Sequence, residues 1–373
     1  MRIKKGQDVV LRNPMAVPYR RIRPLGQGGY STVDEVRDKH TNAVYARKVY
    51  KPRYNEDDDA VEAQFREEVR IMRRLPHHHI TTVHASYILR EQDHPPVLAM
   101  ILEPVARDGT LQDLLEALRE TGCKTSTAEK HLLERCFGCL SSALKHIHQR
   151  AVRHKDIKPG NILLDGGRIL LSDFGNAFDG TELGATTSGP AASFTREYCA
   201  PEVQASRKRN AKSDMFSLGC VYVDLLHALF PKSIMVRPQG TTYADLAPSV
   251  RKQLSRTEDI PQNLWVATYK LLDSDSSKRL TSETLLTWLE SFHRSTPSSV
   301  WDIFCAECLG DKVPEGDQGH TAGQATTDAL SMTAPDSPAK KTSGHRHSGS
   351  DSSFVVITDE DLPSPELSVY VQI

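Results

Sequence analysis

Residues 152–175 constrain this chain more than any other stretch. They read Val152-Arg-His154-Lys155-Asp156-Ile-Lys158-Pro-Gly-Asn161, then Ile162-Leu163-Leu164, a turn at Asp165-Gly166-Gly167, Ile169-Leu170-Leu171, and finally Ser172-Asp173-Phe174-Gly175. Two apolar runs around a Gly-Gly turn predict a small β-hairpin. Asp156, Lys158 and Asn161 sit on the loop before it and Asp173 on the loop after it, so two carboxylates, an amide and an ammonium form one preorganised cluster. Two polar turns in an unrelated α/β domain would not require all of these spacings to hold at once.

The stretch resembles the catalytic loop and metal-binding loop of eukaryotic protein kinases. That resemblance implies phosphoryl transfer from ATP: Asp156 orients the attacking hydroxyl, Lys158 lies against the γ-phosphate, and Asn161 with Asp173 holds Mg²⁺. Lys158 and Asn161 lie in Asp-Ile-Lys-Pro-Gly-Asn, the form found in the serine/threonine branch. The run His154-Lys155-Asp156 with Ser-Asp-Phe-Gly and Tyr198-Cys-Ala-Pro-Glu202 resembles a group of kinases from filamentous fungi.

Upstream, Arg21–Leu25 and the residues through Val36 read as two strands around Gly26-Gln27-Gly28-Gly29-Tyr30-Ser31-Thr32-Val33. A Gly-x-Gly between two strands argues for a phosphate-covering hairpin rather than a dinucleotide-binding turn. Ser31 stands where kinases carry a third glycine, and Tyr30 takes the aromatic tip. Alternation in Val44–Val49 places Ala46 and Lys48 on one strand face. By resemblance Lys48 reaches the α- and β-phosphates and pairs with Glu68 on a helix predicted over 60–75, with neighbouring Glu67 a competitor. The apolar run 97–102 predicts a buried central strand. By resemblance Leu102 is then the gatekeeper and Glu103-Pro104-Val105 the adenine-binding hinge; proline has no N–H, which leaves Val105 as donor. The resemblance also puts Leu25, Val33 and Leu163 around the nucleotide.

Further on, helices are expected at 110–120, 127–149, 261–272 and 281–292, with another from Ser213 to Leu229. Residues 181–194 are rich in small and hydroxyl residues, including Thr186, Thr187, Ser188 and Ser193, and by resemblance form the activation segment before Ala200-Pro201-Glu202. Glu202 is expected to pair with Arg279, and Asp214 to brace the catalytic-loop backbone. Kinases switched by loop phosphorylation carry arginine before the catalytic aspartate. Lys155 has no bidentate fork, so it would hold a phosphorylated loop less firmly.

The resemblance implies an α+β, bilobal protein-kinase fold: an N-lobe of small antiparallel β-sheet with one αC helix, and a larger, mainly helical C-lobe. Residues 1–18 read as an N-terminal extension, 19–293 as the kinase domain (N-lobe about 19–103, C-lobe about 106–293), and 294–373 as a largely disordered tail. Trp301, Ile303 and Phe304 at the tail's root are expected to dock on the C-lobe. Phe354-Val-Val-Ile357 followed by Asp359-Glu360-Asp361 resembles a SUMO-interacting motif, and intramolecular docking is its alternative.

A formal net charge of -1 gives no nucleic-acid footprint and no attraction to anionic membranes. Seven cysteines without framework spacing and an N-terminus lacking an apolar stretch suggest a reducing, intracellular setting, cytoplasmic or nuclear. Cys136/Cys139 and Cys305/Cys308 are each half a zinc site at most, since structural zinc needs four convergent ligands. His77-His78-His79 reads as a polar turn between helix and strand. Protein substrates are the implied partners, and a pseudokinase scaffold that binds without turnover is the alternative function.

Overall fold

A computed structural model of the chain describes residues 2–28, 31–50, 58–92, 94–183, 195–207, 210–297 and 300–310. Gly29, Tyr30, the hydroxyl-rich positions 186–188 and 193, and the SUMO-like segment lie outside them.

The N-terminal part is a six-stranded sheet in the order β1-β5-β6-β4-β3-β2. Its strands are β1 (Asp8–Leu11), β2 (Tyr19–Gln27), β3 (Ser31–Asp38), β4 (Val44–Tyr50), β5 (Thr82–Leu89) and β6 (Val97–Glu103), with helix α1 (Asp58–Arg73) between β4 and β5. Structure was expected to begin near Tyr19, and here the fold differs. β1 pairs parallel with β5, Asp8 opposite Ser86 and Leu11 opposite Leu89, which makes an otherwise antiparallel sheet mixed.

The reason lies in the sheet's second face. β6 is apolar on both sides, and the sheet face carrying Ala85, Tyr87, Leu89, Ala99 and Ile101 needs a cover. Ile3, Leu11, Val17 and Tyr19 supply it and are themselves buried. The opposite face packs on α1 through Phe65, Val69 and Met72, spaced to share one side of the helix. β6 is the buried central strand expected from its composition, with residues 98–101 all under 4% exposed.

The C-terminal part is helical: α2 (Leu111–Glu120), α3 (Thr127–Gln149), and after the catalytic region α4 (Gly180–Leu183), α5 (Pro201–Gln204), α6 (Lys212–Leu229), α7 (Tyr243–Leu254), α8 (Gln262–Leu271), α9 (Ser282–Ser295) and α10 (Ala306–Leu309). Thr110 and Ser126 start α2 and α3 with reciprocal capping boxes to Asp113 and Glu129, so orphan N–H donors at both helix ends are satisfied. α7 was not anticipated, because Pro248 inside it interrupts the helical pattern.

Between α3 and α4 run β7 (Val152–Arg153), β8 (Ile162–Asp165), β9 (Arg168–Leu171) and β10 (Phe178–Asp179). β8 and β9 form the expected hairpin, Ile162 opposite Leu171, and its turn takes positive φ at both Gly166 (56°) and Gly167 (81°). Ile303 and Phe304 are buried against α3, as anticipated from their apolar character. No helix among the described residues is long and apolar enough to cross a membrane.

Candidate active site

The loop after β7 is held from below by one carboxylate. Asp214, near the N-terminus of α6, accepts the backbone N–H groups of His154 and Lys155, each at 2.9 Å, and contacts His148 Nε2 at 3.0 Å. Burial works against its ionisation, but the hydrogen bond and charge of His148 outweigh this and keep Asp214 an anion. Its grip supports a left-handed backbone at Lys155 (φ 68°), a conformation that non-glycine residues hold only under local constraint. His154 then bridges the two loops: Nδ1 faces the Asp156 N–H at 3.3 Å and Nε2 the Ser172 carbonyl at 3.0 Å. That pair of partners fixes the tautomer, with the proton on Nε2.

Four functional groups converge above this support. Asn161 donates from Nδ2 to the Asp156 carbonyl (2.8 Å) and to Asp156 Oδ2 (3.0 Å), which turns its amide oxygen to the other side. Lys158 Nζ is 2.9 Å from Asp156 Oδ2. Thr195 joins them: it accepts from Lys158 Nζ at 2.6 Å and donates to Asp156 Oδ1 at 2.7 Å. Sequence reasoning did not single out Thr195. Its only clue was its place before Ala-Pro-Glu, and its partner lies 39 residues away.

Across the cleft, Lys48 Nζ sits 2.9 Å from Glu68 Oε1 and 2.7 Å from Asp173 Oδ1. Burial works against the charge on Lys48, yet the Glu68 carboxylate, with further help from Asp173, pushes its pKa well above the ordinary lysine value. Asp173 is lowered despite desolvation because Lys48 lies beside it. The structure decides between the two glutamates: Glu68 is the buried partner, while Glu67 pairs with Arg70 on the helix surface. Tyr50, whose hydroxyl donates to Glu68 Oε2, is a further contact that the sequence did not reveal. A Cβ on Gly175 would meet Glu68 Oε2 at 3.2 Å, so the carboxylate would have to give by a few tenths of an ångström.

The other predicted residues that the structure describes stand on the sheet, on the segment after β6 and, for Leu163, on β8. Ala46 and Lys48 lie opposite Leu102 and Met100 of β6, two residues apart and therefore on one face. In the β2–β3 hairpin, Gly26 pairs with Val33 and Gln27 with Thr32; Leu25 falls at a register shift, and the Gly28 N–H donates to the Ser31 carbonyl at 2.9 Å. Glu103 is tied down on both sides, its side chain to Lys5 and its carbonyl to the Thr82 hydroxyl at 3.1 Å. Val105 is buried beyond the Glu103-Pro104 cis peptide, and Leu163 bridges to Thr110 at the start of α2.

Ionised Asp173 and the amide oxygen of Asn161 are hard oxygen donors of the type Mg²⁺ takes. Asp173, with 47% of its side chain exposed, and Lys48 together offer a charge pair open to a polyphosphate. Nucleotide and metal therefore fit the groups present. Away from this cleft, Glu202 and Arg279 form the expected buried pair, bidentate at 2.7 and 2.8 Å.

Comparison with known proteins agrees with this architecture. Residues 19–288 match the family described as Protein kinase domain. The chain is 33% identical over 256 residues to human serine/threonine-protein kinase 16, covering 66% of this chain and 78% of that protein. It is 31% identical over 215 residues to serine/threonine-protein kinase nekl-2 of Caenorhabditis elegans, covering 56% and 57%. It is also 29% identical over 256 residues to the mouse protein named inactive serine/threonine-protein kinase PLK5, covering 64% of this chain but 39% of that one. The match thus spans well under two thirds of several relatives. Family members use ATP and Mg²⁺. With a match over residues 19–288 and the cleft geometry above, the chain belongs to the protein kinase family.

Proposed function

We propose that the chain is a catalytically active protein serine/threonine kinase that transfers the γ-phosphoryl group of ATP to hydroxyls of protein substrates. The observation that carries this is the joint arrangement of Asp156, Lys158, Asn161 and Thr195 on one wall and Lys48, Glu68 and Asp173 on the other. Asp156 accepts the hydrogen bond of an entering serine or threonine hydroxyl and orients its oxygen. Lys158 holds positive charge next to that oxygen. Lys48, kept protonated and placed by Glu68, meets the α- and β-phosphates, beneath the hairpin of Gly26, Gln27, Gly28 and Ser31. Ala46, Val33, Leu25 and Leu163 enclose the adenine, with the Val105 N–H as its hinge donor. Asn161 and Asp173 would hold Mg²⁺, which when bound would neutralise charge on the phosphates.

A pseudokinase scaffold is the second reading, favoured by the similarity to a protein named inactive. It leaves the strained, charged loop around Asp156 without a use. A peptide array incubated with the purified chain and labelled ATP separates the two: labelled serine and threonine peptides support the kinase, and nucleotide binding with no labelled peptide supports the scaffold. For residues 354–361 we propose a strand-adding contact with SUMO. Titration with SUMO tests it, and equal binding by the full chain and by a chain lacking 350–373 would exclude it.

A further inference from the structure

The segment after α9 and the loop between α1 and β5 bring together four side chains of metal-ligand type. His78 Nε2 lies 3.2 Å from Cys308 Sγ, and His79 Nε2 lies 3.2 Å from Cys305 Sγ. All four ligand atoms fall within 4.8 Å of one another. In a tetrahedral zinc site with Zn–S of about 2.3 Å and Zn–N of about 2.0–2.1 Å, neighbouring ligand atoms sit roughly 3.3–3.8 Å apart. Two of the six separations are therefore close to the edge length of such a tetrahedron, and none exceeds 4.8 Å.

We propose that His78, His79, Cys305 and Cys308 bind one structural Zn²⁺. Two independent features support the site. His79 is only 2% exposed, and its Nδ1 lies 2.7 Å from the Ile169 carbonyl of β9. A carbonyl can only accept, so the proton is on Nδ1 and the Nε2 lone pair is directed at the sulfurs, the arrangement a metal-bound histidine requires. The Cys-x-x-Cys segment also has docking contacts of its own. Arg135 binds Asp302 at 2.5 Å, the Gly138 N–H meets the Ile303 carbonyl at 3.1 Å, and Phe304 is buried. The cysteines are thus delivered to the histidines by packing.

Binding replaces the protons of the Cys305 and Cys308 thiols, which pass to solvent, and two thiolates with two neutral imidazoles leave the site uncharged. The ion would pin the tail root to the loop that follows α1, the helix carrying Glu68, and through His79 to β9, the strand leading into Asp173.

The test uses the full chain, purified with added zinc, freed of any histidine tag and dialysed exhaustively, with metal measured by plasma mass spectrometry. About one zinc per chain is expected, falling close to zero in Cys305→Ser/Cys308→Ser and staying near one in Cys123→Ser. Cobalt loading should give the visible bands of a tetrahedral ion with a thiolate-to-cobalt charge-transfer band. Should the double variant fail to fold, His78→Ala, a change at an exposed ligand, should weaken zinc by at least about tenfold in chelator competition. A full chain without zinc, or a disulfide between Cys305 and Cys308, would overturn the proposal.

Discussion

Replacing Arg279 with methionine removes a guanidinium whose side chain is 0% exposed while keeping an apolar stem of similar length. Four good hydrogen bonds disappear: two to Glu202 at 2.7 and 2.8 Å, one to the Asp273 carbonyl at 2.7 Å and one to the Lys212 carbonyl at 3.0 Å. The dominant cost is the buried Glu202 carboxylate left without its partner, about 3–5 kcal/mol when one member of a buried pair is removed. At roughly 2–4 °C per kcal/mol for domains of this size or somewhat smaller, calorimetry should show a melting temperature lower by roughly 10 °C at neutral pH.

The pH dependence gives a second, independent check. In the intact protein burial pushes the Glu202 pKa up, but hydrogen bonding and charge from Arg279 bring it below the usual glutamate value. A depressed folded-state pKa contributes stability above the unfolded value, about 4.3, that is lost as pH falls through the folded pKa. Without Arg279, burial raises that pKa, so the variant's handicap is largest at neutral pH and narrows as Glu202 takes up a proton below about pH 5. Adding Glu202→Met should recover more than half of the loss, because a buried pair replaced by apolar side chains is often neutral in stability. A deficit under about 1 kcal/mol, or one of equal size at pH 7 and pH 4, would refute the pair's assigned role.

Three further outcomes follow from the same geometry. Thr195→Val should lower peptide-phosphorylation kcat by about tenfold or more, or about 1.4 kcal/mol, with Thr195→Ser close to the parent; equal loss in both would show that the hydroxyl is not what matters. Gly138→Ala places a methyl group against the Ile303 carbonyl and the Phe304 ring. It should cost about 1–3 kcal/mol and expose the 300–310 segment to proteolysis, whereas unchanged protection would show that the contact is loose. Alanine at Thr186, Thr187, Ser188 and Ser193 together should reduce activity by less than about tenfold, because Lys155 lacks a fork for a phosphate; a loss of several hundredfold rescued by phosphomimetic residues would make that loop a switch.

What the sequence disclosed was local. The catalytic loop and hairpin were legible because their residues lie within 24 positions and their spacing is itself the signal. Helices α2 and α3 were expected at 110–120 and 127–149, and the structure adds their capping residues Thr110 and Ser126. Apart from α7, whose pattern Pro248 interrupts, the misses depend on contacts remote in sequence. β1 is a strand only because β5 offers an unpaired edge and the sheet an uncovered apolar face. Glu68 was preferred to Glu67 only by resemblance until the orientation of α1 against Lys48 separated them. His79 and Cys305, 226 residues apart, each looked ordinary until packing brought them into contact.

The central claim is that Asp156 serves transfer chemistry rather than fold. The most direct measurement is single-turnover phosphorylation of a serine peptide selected from the array, comparing the parent chain with Asp156→Asn at matched thermal stability and matched ATP affinity. The rate of transfer should fall by at least about 10²-fold, the scale of a positioned acid–base group, with nucleotide binding unchanged. An unaltered rate in Asp156→Asn would contradict the claim.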